Sequence, residues 1–194
     1  YTIKAFLEVF KGKTNPPALI LKTSSATTSL LDRDQILNKI DSLILPGGES
    51  TAMLKIEEEN NLFENIKILI DSGIPTLGTC AGLILLSTND VQGKETLQSI
   101  DCTIERNSYG RQNQSFEALV KFHDFTGIYC FIRAPKIINY GEDVKPIAFL
   151  DNEVVGIQKN NVVGLSFHPE LTNDVHYLEW LESFILKGSN VGTL

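Results

Sequence analysis

Cys80, His168 and Glu170 are the residues whose types and surroundings suit covalent chemistry at a carbonyl carbon. Cys80 lies in Gly78-Thr79-Cys80-Ala81-Gly82, a G-x-nucleophile-x-G string with a thiol where many hydrolases carry a hydroxyl. Pro75-Thr76-Leu77 reads as the end of a buried strand, and Ala81 to Leu86 has the apolar density of a helix packed on a sheet, so Cys80 falls at a sharp strand-to-helix bend. Such a bend strains the nucleophile's backbone, and flanking glycines let strand and helix approach closely. The first free N–H groups of the helix favour negative charge on the thiol, and the Ala81 N–H is placed to donate to an oxyanion. Against this stands the ordinary fate of a cysteine in an apolar run, an inert core residue. The pentapeptide alone leaves both readings open.

The segment Gly164-Leu165-Ser166-Phe167-His168-Pro169-Glu170 weighs against the inert reading. A histidine after an apolar strand is by default a core or hydrogen-bonded residue. Here Pro169 fixes a turn and Glu170 follows two residues on, where its carboxylate can reach the imidazole and hold it as a base toward a thiol. His123 and His176 lack such a neighbour.

A third stretch, Pro46-Gly47-Gly48-Glu49-Ser50-Thr51, follows the strand Leu43-Ile44-Leu45. Paired glycines between strand and helix expose backbone N–H groups at the strand's carboxyl end, where open α/β sheets bind ligands. The same string is also a plain tight turn with a helix start. On the functional reading, Glu49 holds a ligand ammonium. Arg106, in the polar run Glu105 to Gln112, is a candidate carboxylate clamp, the alternative being a solvated loop arginine.

The elements that must position these groups follow from periodicity. Ile3, Phe6, Leu7 and Phe10 fall at helical spacing, Ala18 to Leu21 reads as a strand, and Leu31 to Ile40 as a short helix. From Leu54 to Asp71 the apolar residues Leu54, Leu62, Phe63, Ile66, Leu69 and Ile70 mark a surface helix that Gly73 ends. Glu57-Glu58-Glu59 is a solvated face. The second half predicts strands at 97–104, 116–122, 128–132, 146–150, 154–158 and 162–167, with hairpins such as Lys159-Asn160-Asn161. Val175, Leu178, Leu181, Phe184 and Ile185, with Trp180 among them, make a terminal amphipathic helix.

The 194 residues, 42% hydrophobic, suffice for one core, and a single domain over 1–194 is expected. A formal charge of −7 without a basic cluster argues against nucleic-acid and anionic-membrane partners. With neither a membrane-length apolar run nor a signal peptide in view, a cytoplasmic protein is expected. Three scattered cysteines, Cys80, Cys102 and Cys130, match neither a disulfide framework nor a zinc pattern, and no metal or other cofactor is called for. Cys102 and Cys130, in alternating strand-like runs, read as packing residues.

Taken together, Leu-Pro-Gly-Gly-Glu-Ser-Thr, Gly-Thr-Cys-Ala-Gly, Glu-Arg-Asn-Ser-Tyr-Gly-Arg-Gln, Ile-Arg-Ala-Pro and Phe-His-Pro-Glu, in this order and spacing, resemble the class I (triad) glutamine amidotransferases. They are most similar to the glutaminase subunit of pyridoxal 5'-phosphate synthases. The resemblance runs from about Leu43 to the last helix. It implies a flavodoxin-like three-layer α/β fold, with a mixed central sheet and helices on both faces. It implies hydrolysis of L-glutamine, with Cys80 as nucleophile, His168 as base and Glu170 as its orienter. Gly48, Glu49 and Ser50 would line the glutamine site, Arg106 would contact the substrate, and Ile132-Arg133 would join the pocket partly through backbone. Backbone N–H groups near Gly48 and Ala81 would form the oxyanion hole, and the ammonia would pass to a (β/α)8-barrel synthase subunit. Relatives of this kind open with a strand and a Leu-Gln-Gly turn, whereas this sequence opens where the first helix is expected. The expectation is that the sequence as given lacks about ten preceding residues.

Overall fold

The structure, a computed structural model, describes residues 18–20 as backbone, and 42–48, 50, 62–88, 95–109 and 115–189. The helices expected over 3–10 and 31–40, the start of that over 54–71, and Glu49 lie outside the described residues.

Among the described residues, eight strands form one sheet in the order β1-β2-β3-β10-β9-β8-β5-β6. These are β1 (Ala18–Ile20), β2 (Ser42–Leu45), β3 (Thr76–Thr79), β5 (Phe116–Phe122), β6 (Phe125–Phe131), β8 (Lys145–Leu150), β9 (Glu153–Lys159) and β10 (Val162–Leu165). The first four in the row run parallel, with β1 bonded directly to β2, and from β10 onward each neighbour is antiparallel. The parallel strands β2, β3 and β10 are buried along their whole length, as short apolar runs covered on both faces must be. One cover consists of α1 (Leu62–Asp71), α2 (Ala81–Leu86) and a two-stranded sheet of β4 (Cys102–Glu105) and β7 (Lys136–Tyr140), which share a core with Leu43, Leu45 and Ile157. The other is α3 (Val175–Ser189), whose Tyr177, Leu181 and Ile185 pack with Ile44, Phe122, Tyr129 and Phe167. The mixed three-layer fold implied by the resemblance is therefore the one observed.

Local chemistry explains the punctuation. Ile66, Leu69 and Ile70 of α1 are buried while Glu64, Lys67 and Asp71 are exposed, and Gly73 ends the helix at φ +87° with its N–H on the Ile70 carbonyl. The hairpin from β9 to β10 turns through Asn160-Asn161, with Asn160 at φ +51°, and Asn161 donates to the Gly73 carbonyl at 2.7 Å.

Several expectations need correction, among them the strand over 162–167, which stops at Leu165. The strand over 97–104 is real only over Cys102–Glu105 and lies in the small sheet. Upstream of it, the N–H groups of Leu97, Ser99 and Ile100 bond to the carbonyls of Leu85 and Leu86 instead. Those carbonyls end a short helix that is buried along its length, and the following segment supplies the donors. The strand expected over 128–132 ends at Phe131, which frees Ile132 for the site described next. In α3, Val175 is exposed at the helix start, and Tyr177 takes the buried position.

Candidate active site

Parallel pairing puts the carboxyl ends of β2, β3 and β10 on one edge of the sheet, with Leu45 opposite Gly78 and Leu165 opposite Thr79. Each strand runs straight into one of the informative stretches. Gly47 follows β2, Cys80 follows β3 and His168 follows β10. Residues about 33 and 88 positions apart in sequence thus meet at the edge where α/β sheets expose their ligand sites.

Cys80 has φ 50° and ψ −103°, a strained backbone shape for a residue with a side chain. Its N–H is anchored to the Leu165 carbonyl at 2.8 Å, and α2 begins at the next residue. The flanking glycines serve this bend by their lack of bulk. A Cβ on Gly82 would collide with the Leu45 carbonyl oxygen, and one on Gly78 would lie 2.7 Å from the Gly82 carbonyl carbon. The thiol, 6% exposed as a residue, points its Sγ at the Ile132 carbonyl, 3.7 Å away.

The imidazole of His168 stands between three neighbours. Its Nδ1 is 2.9 Å from Glu170 Oε1, the two side chains being 12% and 8% exposed. On another side is Gly47, where a Cβ would overlap the imidazole Cε1 and come within 3.4 Å of the Cys80 Cβ. The third neighbour is the Cys80 side chain, close enough to act on the charge of the ring. Burial alone would drive the imidazole toward its neutral form, but the bonds and charges of Cys80 and Glu170 prevail and push its pKa up to about 10. The backbone is pinned too, since the His168 N–H donates to the Cys130 carbonyl at 2.8 Å. Glu170 sits in a one-turn 3-10 segment, Pro169–Leu171, and its second oxygen, Oε2, is buried without a hydrogen-bond partner.

The other residues that the sequence singles out distribute as follows. Ala81, 1% exposed, opens α2 directly after the thiol. Gly48 is exposed at the end of the glycine loop with φ +155°, and the loop is tied to β3 by the Gly47 N–H donating to Thr79 Oγ1 at 3.1 Å. Ser50 is helical and 3% exposed. Arg106 is half-buried in the turn after β4; Glu105 pairs with Lys136, so this turn abuts the start of β7. Ile132 enters the site through its carbonyl, whereas Arg133, at φ +48°, turns outward and is exposed. Gly47 as the wall behind the imidazole, Thr79 as tether of the loop and the Cys130 carbonyl as anchor of His168 were not anticipated. Only the first had a signal, the bare Gly-Gly pair.

No helix among the described residues is long and apolar enough to cross a membrane, and none of their His, Cys, Asp and Glu side chains cluster as a metal site would need.

Over 158 residues the chain is 49% identical to the pyridoxal 5'-phosphate synthase subunit PdxT of Thermococcus onnurineus, covering 77% of this chain and 79% of that one. It is 40% identical over 172 residues to the subunit of the same name from Thermosipho africanus, covering 87% and 92%. A crystal structure of a glutamine amidotransferase superposes with a TM-score of 0.71 at 31% identity, covering 82% and 84% of the two chains. Residues 12–186 match the model of the SNO glutamine amidotransferase family, and with relatives of this identity and coverage the chain belongs to that family.

Proposed function

We propose that the chain is a glutaminase subunit that hydrolyses L-glutamine to L-glutamate and passes the ammonia to a synthase subunit making pyridoxal 5'-phosphate. The observation that carries this reading is the meeting of a strained cysteine with a carboxylate-held imidazole at the carboxyl edge of the sheet.

Cys80 Sγ attacks the side-chain amide carbon of glutamine, and the backbone N–H groups of Ala81 and of the Gly48 loop receive the developing oxyanion. The imidazolium of His168 gives its proton to the departing nitrogen, so ammonia leaves and a glutamyl thioester remains. Water then attacks the thioester, His168 takes its proton, and collapse breaks the carbon–sulfur bond, releasing glutamate and the Cys80 sulfur. Glu170 keeps the ring oriented throughout. Arg106 and Glu49 hold the carboxylate and ammonium of the substrate, and Ser50, Ile132 and Arg133 complete the pocket.

Ammonia lost to bulk water would be protonated and wasted, which favours transfer within an assembly. The partner in this reading is a (β/α)8-barrel synthase subunit whose docking completes the oxyanion hole near Gly47-Gly48. Glutamate release at saturating glutamine, with and without that subunit, tests the coupling. The isolated chain should turn over slowly, and the partner should raise kcat rather than only lower KM. Full activity of the free chain would refute the coupling. Unchanged kinetics in Arg106→Ala and Glu49→Gln would refute the pocket.

A further inference from the structure

A second knot of partly buried polar side chains lies beside the turn that carries Arg106. The Tyr109 hydroxyl donates to Glu153 Oε1, and the Lys136 ammonium donates to Glu153 Oε2 at 2.9 Å while lying 5.8 Å from the centre of the Tyr109 ring. Lys136 is also the strand partner of Glu105, the residue just before Arg106. One carboxylate on β9 therefore grips both sides of the turn, Tyr109 directly and Glu105 through Lys136. Within the turn, Asn107 has φ +55° and the Ser108 hydroxyl donates to the Glu105 carbonyl at 3.1 Å.

The knot reaches the reacting thiol through packed rings. Tyr109 lies 5.5 Å from Phe131, and Phe131 lies 5.7 Å from Phe167, centre to centre. Phe131 precedes Ile132, whose carbonyl faces Cys80 Sγ, and Phe167 precedes His168. The side chains of Lys136 and Glu153 keep 39% and 29% of their exposure, so as an ion pair they contribute little to stability. What they restrain is the place of the turn relative to the thiol.

We propose that Tyr109 and Glu153 are positioning residues that hold the Arg106 turn where its guanidinium meets the substrate's α-carboxylate. This rests on the glutamine pocket proposed above. Loosening the turn weakens binding of the amino-acid end and leaves the thiol and imidazole untouched.

The test is steady-state glutaminase kinetics of the full chain with its synthase subunit present, for Tyr109→Phe, Glu153→Gln, Arg106→Ala and the Tyr109→Phe/Arg106→Ala double variant. Each of the first two should raise KM for glutamine about tenfold with kcat within about twofold, because a hydrogen bond to a charged group is lost outside the reacting centre. Alkylation of Cys80 by iodoacetamide, which has no amino-acid end, should keep its rate. In the double variant, Tyr109→Phe should add nothing to the effect of Arg106→Ala, since the two act through one contact. Full additivity would overturn the proposal, as would a fall in kcat with KM unchanged. Unchanged KM in Tyr109→Phe and Glu153→Gln beside a raised KM in Arg106→Ala would overturn the latch alone. Unchanged KM in Arg106→Ala would overturn latch and pocket together.

Discussion

His168 Nδ1 stands 2.9 Å from Glu170 Oε1, across a turn made by Pro169, and against the lowering effect of burial Cys80 and this carboxylate raise the imidazole pKa. Glu170→Gln keeps the shape and removes the charge. The imidazole pKa should fall from about 10, so the alkaline limb of the kcat/KM profile moves to lower pH, and kcat should drop about 100-fold. Linkage gives a second readout with a definite sign. The folded-state pKa lies above the ordinary 6.5, so this stabilisation is complete below that pH and is lost as pH rises toward about 10. Between these two pH values the urea midpoint should therefore fall less in Glu170→Gln than in the natural chain.

The three thiols should differ sharply toward a glutamine-like electrophile. Burial, with the charge of Asp101 beside it, pushes the Cys102 thiol up to about 12, and burial also raises that of Cys130, with Glu117 and Glu170 adding to it. Peptide mapping should find the label on Cys80 alone, and Cys80→Ala should lower turnover by ~10⁴-fold or more while leaving the melting temperature close to that of the parent. Label on Cys102 or Cys130 would refute the nucleophile assignment.

Gly47→Ala probes the wall behind the imidazole. The new methyl would overlap the ring Cε1 and lie 2.9 Å from Nδ1, and the ring is the part able to move. Activity should fall roughly 100-fold or more from misplacement of the base, with stability reduced by only about 1–2 kcal/mol. A fully active Gly47→Ala would show that the imidazole does not work from this position.

Asp174 ties the far layer together without touching the chemistry. Its Oδ1 accepts the N–H groups of His176 and Tyr177 at the start of α3, and its Oδ2 accepts the Tyr129 hydroxyl at 2.5 Å. Asp174→Ala removes a helix cap and leaves a phenol hydroxyl without its acceptor, which should cost about 2–4 kcal/mol in urea unfolding. Specific activity of the folded fraction should be unchanged. An equal loss of activity would mean that α3 also shapes the site.

The site was legible where function had written itself into local strings. Gly78 and Gly82 announce a close approach because no other residue fits there, and Pro169 with Glu170 announces an oriented imidazole. The strand rows of the second half were legible through alternation, as at Val120, Phe122, Tyr129 and Phe131. What local patterns did not carry was pairing across long separations. No strand is expected from the sequence over Lys136–Tyr140, which is one because β4 lies opposite. Leu97 to Ile100 has the composition of a strand, yet its donors are claimed by the end of α2. The Ile132 carbonyl could be placed near the thiol only by family likeness, since a carbonyl leaves no trace in residue type.

The backbone of Cys80, at φ 50° and ψ −103°, sets durability against activity at a single position. Glycine would occupy that shape at ease, relieving about 1–3 kcal/mol of strain, whereas every residue that carries a nucleophile must bear it. A library of this chain selected for heat resistance alone would drift toward Cys80→Gly and lose the proposed nucleophile. One selected for turnover would keep the cysteine and have to gain its robustness elsewhere, for instance at the α3 cap.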